Sequence, residues 1–448
     1  MYDLIIKNVK IIDGLKNPSY IGNIAISNGK IILSPSDLEG SQQIIDGTNL
    51  CVSPGFIDVH SHGDIALGKD FTTLCKVSQG ITTDIAGQCG FTSFPVNPNT
   101  LDLLQEDLSI FTDNFDDNMK RFTSFKKYLD YSSKFDLTYN TMFLIGHCTL
   151  RTAVMGFENR KPTSKELDKM KDLVREAMEN GCIGLSSGLI YTPGVYSQTE
   201  ELIELCKVVK EYNGRYVTHM RSESDKLLEA VKEAIYIAET AGVPLGISHY
   251  KVQGKSNWGL PKQGLQLIEQ AISRGMEITI DQYPYESGMT HLYVSIPPKY
   301  ISNGIGELIN LLKDKNIREE IKSEMINPTT EFENYYICAN GFDGIFIADC
   351  PTFKDPVGMT IGDYSRKLNI DPFDAFFDIL IKNHGVCTAI YFTMGEDDIF
   401  NIIKNENTVI GTDGIVKSLD GKCHPRAYGT FPRAIAVSYT HLTLPTNR

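Results

Sequence analysis

The sequence lacks several features that would place it in a specialised class of protein. Its ten cysteines in 448 residues are too sparse for a disulfide scaffold and show no paired spacing. It has no run of about eighteen apolar residues that would cross a membrane. Residues 1–7 alternate like a strand and lack the basic start and apolar core of a signal peptide. We therefore expect a cytoplasmic protein with no membrane partner.

The sequence also has fewer basic residues than acidic ones. Lysine and arginine together number 43 against 56 acidic residues, which leaves a formal net charge of −13. This balance disfavours nucleic acid as a partner. The apolar share of 42% and the charged share of 22% are ordinary for a globular protein. The length is more than one compact core usually holds, so it predicts one large barrel or two domains.

Two kinds of pattern divide the chain. Residues 1–53 contain short strands separated by turns such as Asn28-Gly29, and this β unit is too thin to bury a core alone. From Pro54 onward, apolar strands alternate with helical stretches, which predicts an α/β fold with a closed TIM-type (β/α)8 barrel over 54–433. The eight strand candidates are Phe56–His60, Ile81–Ala86, Thr141–Ile145, Ile183–Ser186, Tyr216–His219, Leu245–His249, Glu277–Gln282 and Thr408–Thr412.

Two segments depart from the barrel pattern. Residues 286–350, with a helical signal at Gly304–Met325, are predicted to be an insertion between late barrel strands. Long insertions of this kind often cover active sites. Residues 434–448 continue neither periodicity, and we interpret them as a tail that is not native.

Four histidines lie where barrel strands are predicted to end. His60 and His62 follow the run Gly55-Phe56-Ile57-Asp58-Val59, and side chains two apart on a strand share one face. His219 and His249 each close a later apolar run. A single such histidine is more often a core residue bonded to a backbone carbonyl. Four at the carboxyl ends of strands, where barrel sites open, favour a zinc site.

Two further residues end strands in the same way. Cys89 follows Ile85-Ala86-Gly87-Gln88, where a lone cysteine is usually a core residue but here would supply a thiolate ligand. Asp413 follows Thr408-Val409-Ile410-Gly411-Thr412, where an Asp-Gly pair usually forms a turn. Beside a histidine cluster, a carboxylate at this position suits a general base that takes a proton from the attacking water.

This set of residues resembles the amidohydrolase superfamily, specifically its N-acyl-D-amino-acid deacylase (D-aminoacylase) branch. The resemblance extends from the first residues to Arg433. The matching phrases are Gln88-Cys89-Gly90, Gly146-His147-Cys148-Thr149-Leu150-Arg151, Ser186-Ser187-Gly188-Leu189-Ile190-Tyr191, Thr218-His219-Met220-Arg221-Ser222-Glu223, Asp281-Gln282-Tyr283-Pro284-Tyr285 and His424-Pro425-Arg426-Ala427-Tyr428-Gly429-Thr430-Phe431-Pro432-Arg433.

The resemblance implies an enzyme that deacylates a small N-acyl-D-amino acid to a carboxylate and a free D-amino acid. It implies that Cys89, His219 and His249 hold one tight Zn²⁺, and that His60 and His62 border a second, weaker metal position. Many superfamily members use a carbamylated lysine as the bridging ligand, whereas this branch has the cysteine.

The resemblance also implies a subsite for the substrate carboxylate. Its members would be Lys251, Arg426, Tyr191 and Tyr283. An arginine can clamp a carboxylate through two hydrogen bonds, which suits this role. Relatives carry a small hydroxyl residue where this chain has Met289.

The resemblance further implies a small β-sandwich formed from both ends of the chain. Because relatives continue well beyond the position of Arg433, we expect this domain to be incomplete.

Two other functions compete with linear deacylation. A cyclic-amide hydrolase of the hydantoinase or dihydroorotase type resembles the chain in the paired histidines and Asp413, but relies on the lysine carbamate. A shortened, inactive metal-binding homologue would keep the ligands without turnover. The presence of Cys89 argues against the first, and the complete set of ligands argues against an evolved loss of activity.

Overall fold

The computed structural model describes residues 1–15, 17–112, 115, 118–417 and 422–440. The chain divides into two compact units, one formed by residues 1–56 with the chain from Ile435, and the other by residues 57–434. Among the described residues, no helix is both long enough and apolar enough to span a bilayer.

The first unit contains one five-stranded sheet. Its strands are β1 (Leu4–Ile11), β2 (Tyr20–Ser27), β3 (Lys30–Leu33), β4 (Ile44–Asp46) and β5 (Cys51–Val52). They pair in the order β3-β2-β1-β4, and β5 also pairs with β1. Asn28 and Gly29 both have positive φ and join β2 to β3, as the Asn-Gly pair predicts. This is the small β domain expected from the sequence.

The second unit is built around a ring of strands. In chain order its strands are β6 (Phe56–Asp58), β7 (Ile81–Ala86), β8 (Asn140–Phe143), β9 (Ile145–Gly146), β10 (Gly184–Gly188), β11 (Arg215–His219), β12 (Leu245–Ile247), β13 (Ile278–Gln282), β14 (Ser287–His291), β15 (Ile345–Asp349), β16 (Thr388–Phe392) and β17 (Thr408–Ile410). The runs β6-β7-β8 and β9-β10-β11-β12-β13-β17 account for the barrel. Only Leu144 separates β8 from β9, and a parallel bridge joins Ser61 to Gly414 at the other junction. The predicted eight-position barrel is confirmed, with the strand expected at Thr141–Ile145 divided in two.

Helices connect the barrel strands. They are α1 (Asp70–Val77), α2 (Leu101–Leu108), α3 (Phe125–Ser132), α4 (His147–Met155), α5 (Ser164–Glu179), α6 (Thr199–Glu211), α7 (Leu227–Ala241), α8 (Pro261–Ser273), α9 (Ile305–Leu311), α10 (Lys315–Ile326), α11 (Tyr335–Cys338), α12 (Ile361–Leu368), α13 (Pro372–Lys382), α14 (Glu396–Lys404) and α15 (Arg426–Thr440). Thr163 and Glu166 form a capping box at the start of α5, which satisfies backbone N–H groups that the helix leaves free.

The inserted segment is longer than the sequence indicates. Strands β14, β16 and β15 form a separate antiparallel sheet in that order, although β13 and β17 on either side of the segment are neighbours in the barrel. The insertion therefore continues past the predicted boundary at Cys350 and includes β16, up to Phe392. Thr388–Phe392 is not among the strand candidates from the sequence, and it is the pairing with β14 and β15 that places it in the insertion.

The segment 434–448 begins inside a helix. Ala434–Thr440 continues α15, and residues 441–448 lie outside the described part of the chain.

Candidate metal centre and catalytic site

Six of the predicted site residues follow barrel strands at their carboxyl ends. His60 and His62 come after β6, Cys89 after β7, and Asp413 after β17. His219 is the last residue of β11, and His249 lies two residues beyond β12. All six side chains are buried. Because the carboxyl ends of parallel barrel strands meet at one rim, residues distant in sequence converge there.

The first donor group consists of Cys89, His219 and His249. Their ligand atoms all lie within 4.8 Å of one another. Cys89 Sγ is 3.4 Å from His249 Nε2, and the rings of His219 and His249 are 4.4 Å apart. Donors around a tetrahedral zinc ion lie about 3.3–3.6 Å apart, given bonds of about 2.1 Å to nitrogen and 2.3 Å to sulfur. This spacing is close to what a single ion requires.

The hydrogen bonding of this group also fits a metal. Both ring nitrogens of His219 are buried, and neither has a hydrogen-bond partner among the described residues. An orphaned imidazole is costly unless a ligand uses its lone pair. A thiolate and two imidazoles are donors typical of zinc or copper sites. The residues present therefore fit a metal ion.

A second donor group shares Cys89 with the first. It adds His60, His62 and Asp413, again with ligand atoms within 4.8 Å of one another. Asp413 Oδ1 lies 3.2 Å from His62 Nε2 and 3.5 Å from His60 Nε2. Cys89 Sγ is 3.3 Å from His60 Nε2, so the thiol lies between the two donor groups.

Three of these residues have an unusual backbone conformation. The φ angles of Cys89, His249 and Asp413 are 55°, 34° and 46°. Residues other than glycine, asparagine and aspartate rarely adopt this left-handed region, and strained backbone of this kind clusters at functional sites. The strain at Cys89 and His249 indicates that the surrounding fold holds both donors in place.

The four residues predicted to bind the substrate carboxylate line the same pocket. Tyr191, Lys251, Tyr283 and Arg426 border a cavity of about 20 Å³ together with His219, His249 and Asp413. Met289, which stands where relatives have a hydroxyl, borders it too.

Arg426 contacts both Asp413 and another member of this set. Its Nη1 lies 2.8 Å from Asp413 Oδ2, and its Nη2 donates to the carbonyl of Met289 at 3.1 Å. Its guanidinium carbon lies 4.6 Å from the centre of the Tyr283 ring. The Tyr283 hydroxyl itself is buried and has no hydrogen-bond partner among the described residues. The geometry leaves this hydroxyl available to a ligand.

The local charges keep Asp413 ionised. Burial alone would raise the pKa of this carboxyl group. Arg426 and the imidazoles of His60 and His62 outweigh burial and hold the pKa well below its usual range. The site therefore holds a carboxylate that is able to accept a proton.

Two carboxylates at the site were not predicted to have a role. Asp281 lies 3.1 Å from His60 Nδ1 and accepts a hydrogen bond from the backbone N–H of His249 at 2.9 Å. Glu223 lies 2.9 Å from His249 Nδ1. Both residues occur in phrases that match the family, but nothing in the sequence shows which imidazole ring each carboxylate contacts.

His147 lies apart from the donor groups. Its Nε2 is 2.8 Å from Glu201, which also pairs with Arg151 at 2.6 Å. This arrangement links the start of α4 to α6.

Known proteins resemble this chain along its length. A profile of the amidohydrolase family matches residues 43–307. A D-aminoacylase of Alcaligenes xylosoxydans xylosoxydans is 32% identical over 97% of this chain and 78% of its own length. The crystal structure of an N-acyl-D-glutamate deacylase from Bordetella bronchiseptica, complexed with zinc and a phosphonate inhibitor, superposes with a TM-score of 0.82 at 26% identity. That match covers 100% of this chain and 83% of the other. A crystal structure of a D-aminoacylase has a TM-score of 0.79 at 29% identity, with the same coverage.

Proposed function

The chain belongs to the amidohydrolase family, in its D-aminoacylase branch, and from this membership we propose that it hydrolyses N-acyl-D-amino acids to a carboxylate and a free D-amino acid. The observation that carries the proposal is one buried site, at the carboxyl ends of the barrel strands, that combines three kinds of group. It has a cysteine and two histidines at metal-ligand spacing, an ionised carboxylate, and cationic and phenolic side chains suited to a substrate carboxylate.

The proposed cofactor is zinc. Cys89, His219 and His249 would hold one tight ion, and His60 and His62 would border a second, weaker position. When bound, such an ion supplies Lewis acidity, which polarises an amide carbonyl and makes water more acidic. Copper is also compatible with these donors, so zinc rests on the thiolate and imidazole set together with the zinc complex of the related glutamate deacylase.

Asp413 would move the proton in this reaction. Its carboxylate accepts a proton from the attacking water and then delivers it to the nitrogen of the leaving amine. The same side chain contacts Arg426, so the proton carrier lies beside the proposed substrate clamp.

Arg426, Lys251, Tyr191 and Tyr283 would bind the substrate carboxylate. A guanidinium gives two parallel hydrogen bonds to a carboxylate, and a buried ammonium adds charge where little water screens it. The Tyr283 hydroxyl, without a partner in the protein, would gain one from the ligand. Selectivity for the D enantiomer is proposed from the activities of the related enzymes.

Cysteine chemistry suggests where the enzyme works. All ten cysteines are free, and eight of them are buried. The reducing cytoplasm suits such a protein, since thiols persist there.

A cyclic-amide hydrolase is the second candidate function. Such enzymes rely on a carbamylated lysine, whereas the lysine beside this cluster contacts the other edge of the ligand ring. Lys251 Nζ is 2.9 Å from His249 Nδ1, while Nε2 of the same ring faces Cys89. This placement favours the linear amide.

A substrate panel tests the proposal. The zinc-loaded chain should release free amino acid from N-acetyl-D-methionine and N-acetyl-D-leucine. It should leave the L enantiomers and 5-substituted hydantoins intact. Ring opening of hydantoins with no deacylation would favour the cyclic-amide function. Bound zinc with no turnover on any N-acyl substrate would favour an inactive homologue.

A further inference from the structure

Glu223 is a fully buried carboxylate that lies behind the first donor group. It follows β11 by four residues and has 0% of its surface exposed. A buried ionised carboxylate is costly unless charged or hydrogen-bonding partners surround it. Here the carboxylate lies 2.9 Å from His249 Nδ1 and 2.7 Å from Lys251 Nζ, both proposed site residues. It also accepts a hydrogen bond from the side-chain amide of Gln253 at 3.2 Å and lies 3.5 Å from His219 Nε2.

The tautomer of His249 decides how these groups bond. Nε2 of this ring faces Cys89, so a metal held there takes the Nε2 lone pair and leaves the proton on Nδ1. A protonated Nδ1 cannot accept from the ammonium of Lys251, although the two atoms lie 2.9 Å apart. Nδ1 therefore donates to Glu223, and Lys251 donates to the same carboxylate and to the carbonyl of His249 at 3.0 Å.

We propose that Glu223 is a positioning residue that serves the metal ligand and the substrate clamp together. One carboxylate fixes the ring orientation and tautomer of His249 and holds the ammonium of Lys251 at the pocket wall. The part that concerns Lys251 rests on the proposed function. The part that concerns His249 requires only that the site binds a metal.

A nearby carboxylate supplies a matched control. Glu333 is buried in the same cluster, but its Oε2 accepts from the hydroxyls of Ser222 and Ser224 and from the backbone N–H of Glu223. It thus supports the same turn as Glu223 and contacts neither His249 nor Lys251 through any of these bonds. Glu333→Gln therefore reports what the loss of a buried carboxyl group does without a loss of positioning.

The test compares Glu223→Gln with Glu333→Gln in the full-length chain. Zinc affinity is measured first, without substrate, by competition with a chromogenic chelator. A carboxylate that accepts a hydrogen bond from a metal-bound histidine typically contributes about 10- to 100-fold to metal affinity, so Glu223→Gln should weaken zinc binding by about that factor. Glu333→Gln should stay within about threefold of the unchanged protein, and Glu223→Asp should recover part of the loss.

The second readout is steady-state kinetics at saturating zinc. Glu223→Gln should raise KM for an N-acetyl-D-amino acid by about tenfold, because Lys251 loses the carboxylate that holds its ammonium group in position. Unchanged zinc affinity in Glu223→Gln, or an equal loss in Glu333→Gln, would overturn the proposal. Weakened zinc binding with an unchanged KM would overturn the shared role of the carboxylate.

Further variants distinguish a folding defect from a loss of metal binding or activity. If Glu223→Gln does not fold, a double variant that combines Glu223→Gln with Lys251→Met is used instead. It removes the buried ammonium that would be left unpaired, and its zinc affinity can still be measured. Lys251→Met alone should keep the zinc affinity of the unchanged protein and raise KM. Equal zinc affinities in the double variant and in Lys251→Met would overturn the proposal. If no N-acyl substrate is turned over, the proposed function fails, while the zinc comparison still decides the role of Glu223 toward His249.

Discussion

At the scale of single residues, the site depends on one sulfur between two sets of imidazoles. Cys89 Sγ lies 3.4 Å from His249 and 3.3 Å from His60, so a metal held by Cys89 can use donors on either side. His219 lies within ligand distance of Cys89 and His249, which places it in the first group, and neither of its ring nitrogens has a hydrogen-bond partner among the described residues. The two donor groups therefore share Cys89 but contain different histidines, so substitutions can affect one metal position without the other.

This difference predicts two distinct metal-binding phenotypes. Cys89→Ser should lower the affinity for the tight zinc ion by at least about 100-fold, because a hydroxyl is a far weaker ligand than a thiolate. His62→Ala should leave that ion bound and affect only a second equivalent. Metal content after gel filtration, measured by atomic emission, checks both. Retention of zinc by Cys89→Ser together with its loss from His62→Ala would reverse the assignment.

The role of Asp413 makes a separate prediction. Asp413→Asn keeps the shape of the side chain but removes its capacity to take a proton, so kcat should fall by about 10²–10⁴-fold. Bound zinc should remain near the level of the unchanged protein. Steady-state kinetics and metal content are measured on the same sample. Turnover close to that of the unchanged enzyme would remove Asp413 from the mechanism.

Residues that end apolar runs could be predicted from the sequence, and residues that act through others could not. His60, His62, Cys89 and Asp413 follow barrel strands and His219 ends one, so their convergence at one rim follows from barrel geometry. Asp281 and Glu223 have roles only through the ring they contact, which the sequence does not reveal.

At the scale of elements, the barrel strands were easier to predict than the segment between the last two. The barrel strands are short apolar runs with helical sequence between them, a pattern that defines the fold class. The break at Leu144 and the antiparallel sheet of β14, β15 and β16 depend on pairing between distant segments. Pattern along the chain carries no information on such pairing, and for that reason the insertion was predicted too short.

The inserted segment supplies part of the pocket wall. Met289 on β14, Tyr335 on α11 and Tyr391 on β16 all border the cavity beside the donor groups. Three elements of the segment therefore contribute side chains to this wall. That this insertion covers the site stays a prediction from the sequence.

Glu333, just before α11, is expected to make the folded protein less stable as the pH rises. Burial, with a contribution from the charge of Glu223, raises the pKa of Glu333 to about 7 from an ordinary value of 4.5. The folded protein keeps this proton up to about pH 7, while the unfolded chain loses it near pH 4.5. The stability from this group is therefore complete below pH 4.5 and is lost as the pH rises through 7.

Glu333→Gln removes this titration. Relative to the variant, the unchanged protein should lose about 2–3 kcal/mol of unfolding free energy between pH 5 and pH 8. Urea unfolding at the two pH values measures the difference. As a control, Glu331→Gln changes an exposed neighbour, and its unfolding free energy should differ from that of the unchanged protein by the same amount at both pH values. The same constant difference for Glu333→Gln would contradict the account.

At the scale of the whole molecule, the site ties together sequence that is far apart along the chain. Its donors and proton carrier come from segments that follow β6, β7, β12 and β17 and from the end of β11, across 354 residues from His60 to Asp413 inclusive. Neither imidazoles nor a thiolate at such separations form a site until the barrel closes. Metal affinity and fold are therefore linked, since an ion that binds only the folded chain stabilises it.

The most direct test of the account is a zinc titration of the chelator-treated protein with N-acetyl-D-methionine as substrate. Release of free amino acid should be absent without metal and should rise to a plateau at roughly one equivalent of zinc, as expected for a single tight catalytic ion. Equal turnover by the metal-free protein, or no turnover at any zinc concentration while the protein remains folded, would contradict a metal-dependent deacylase.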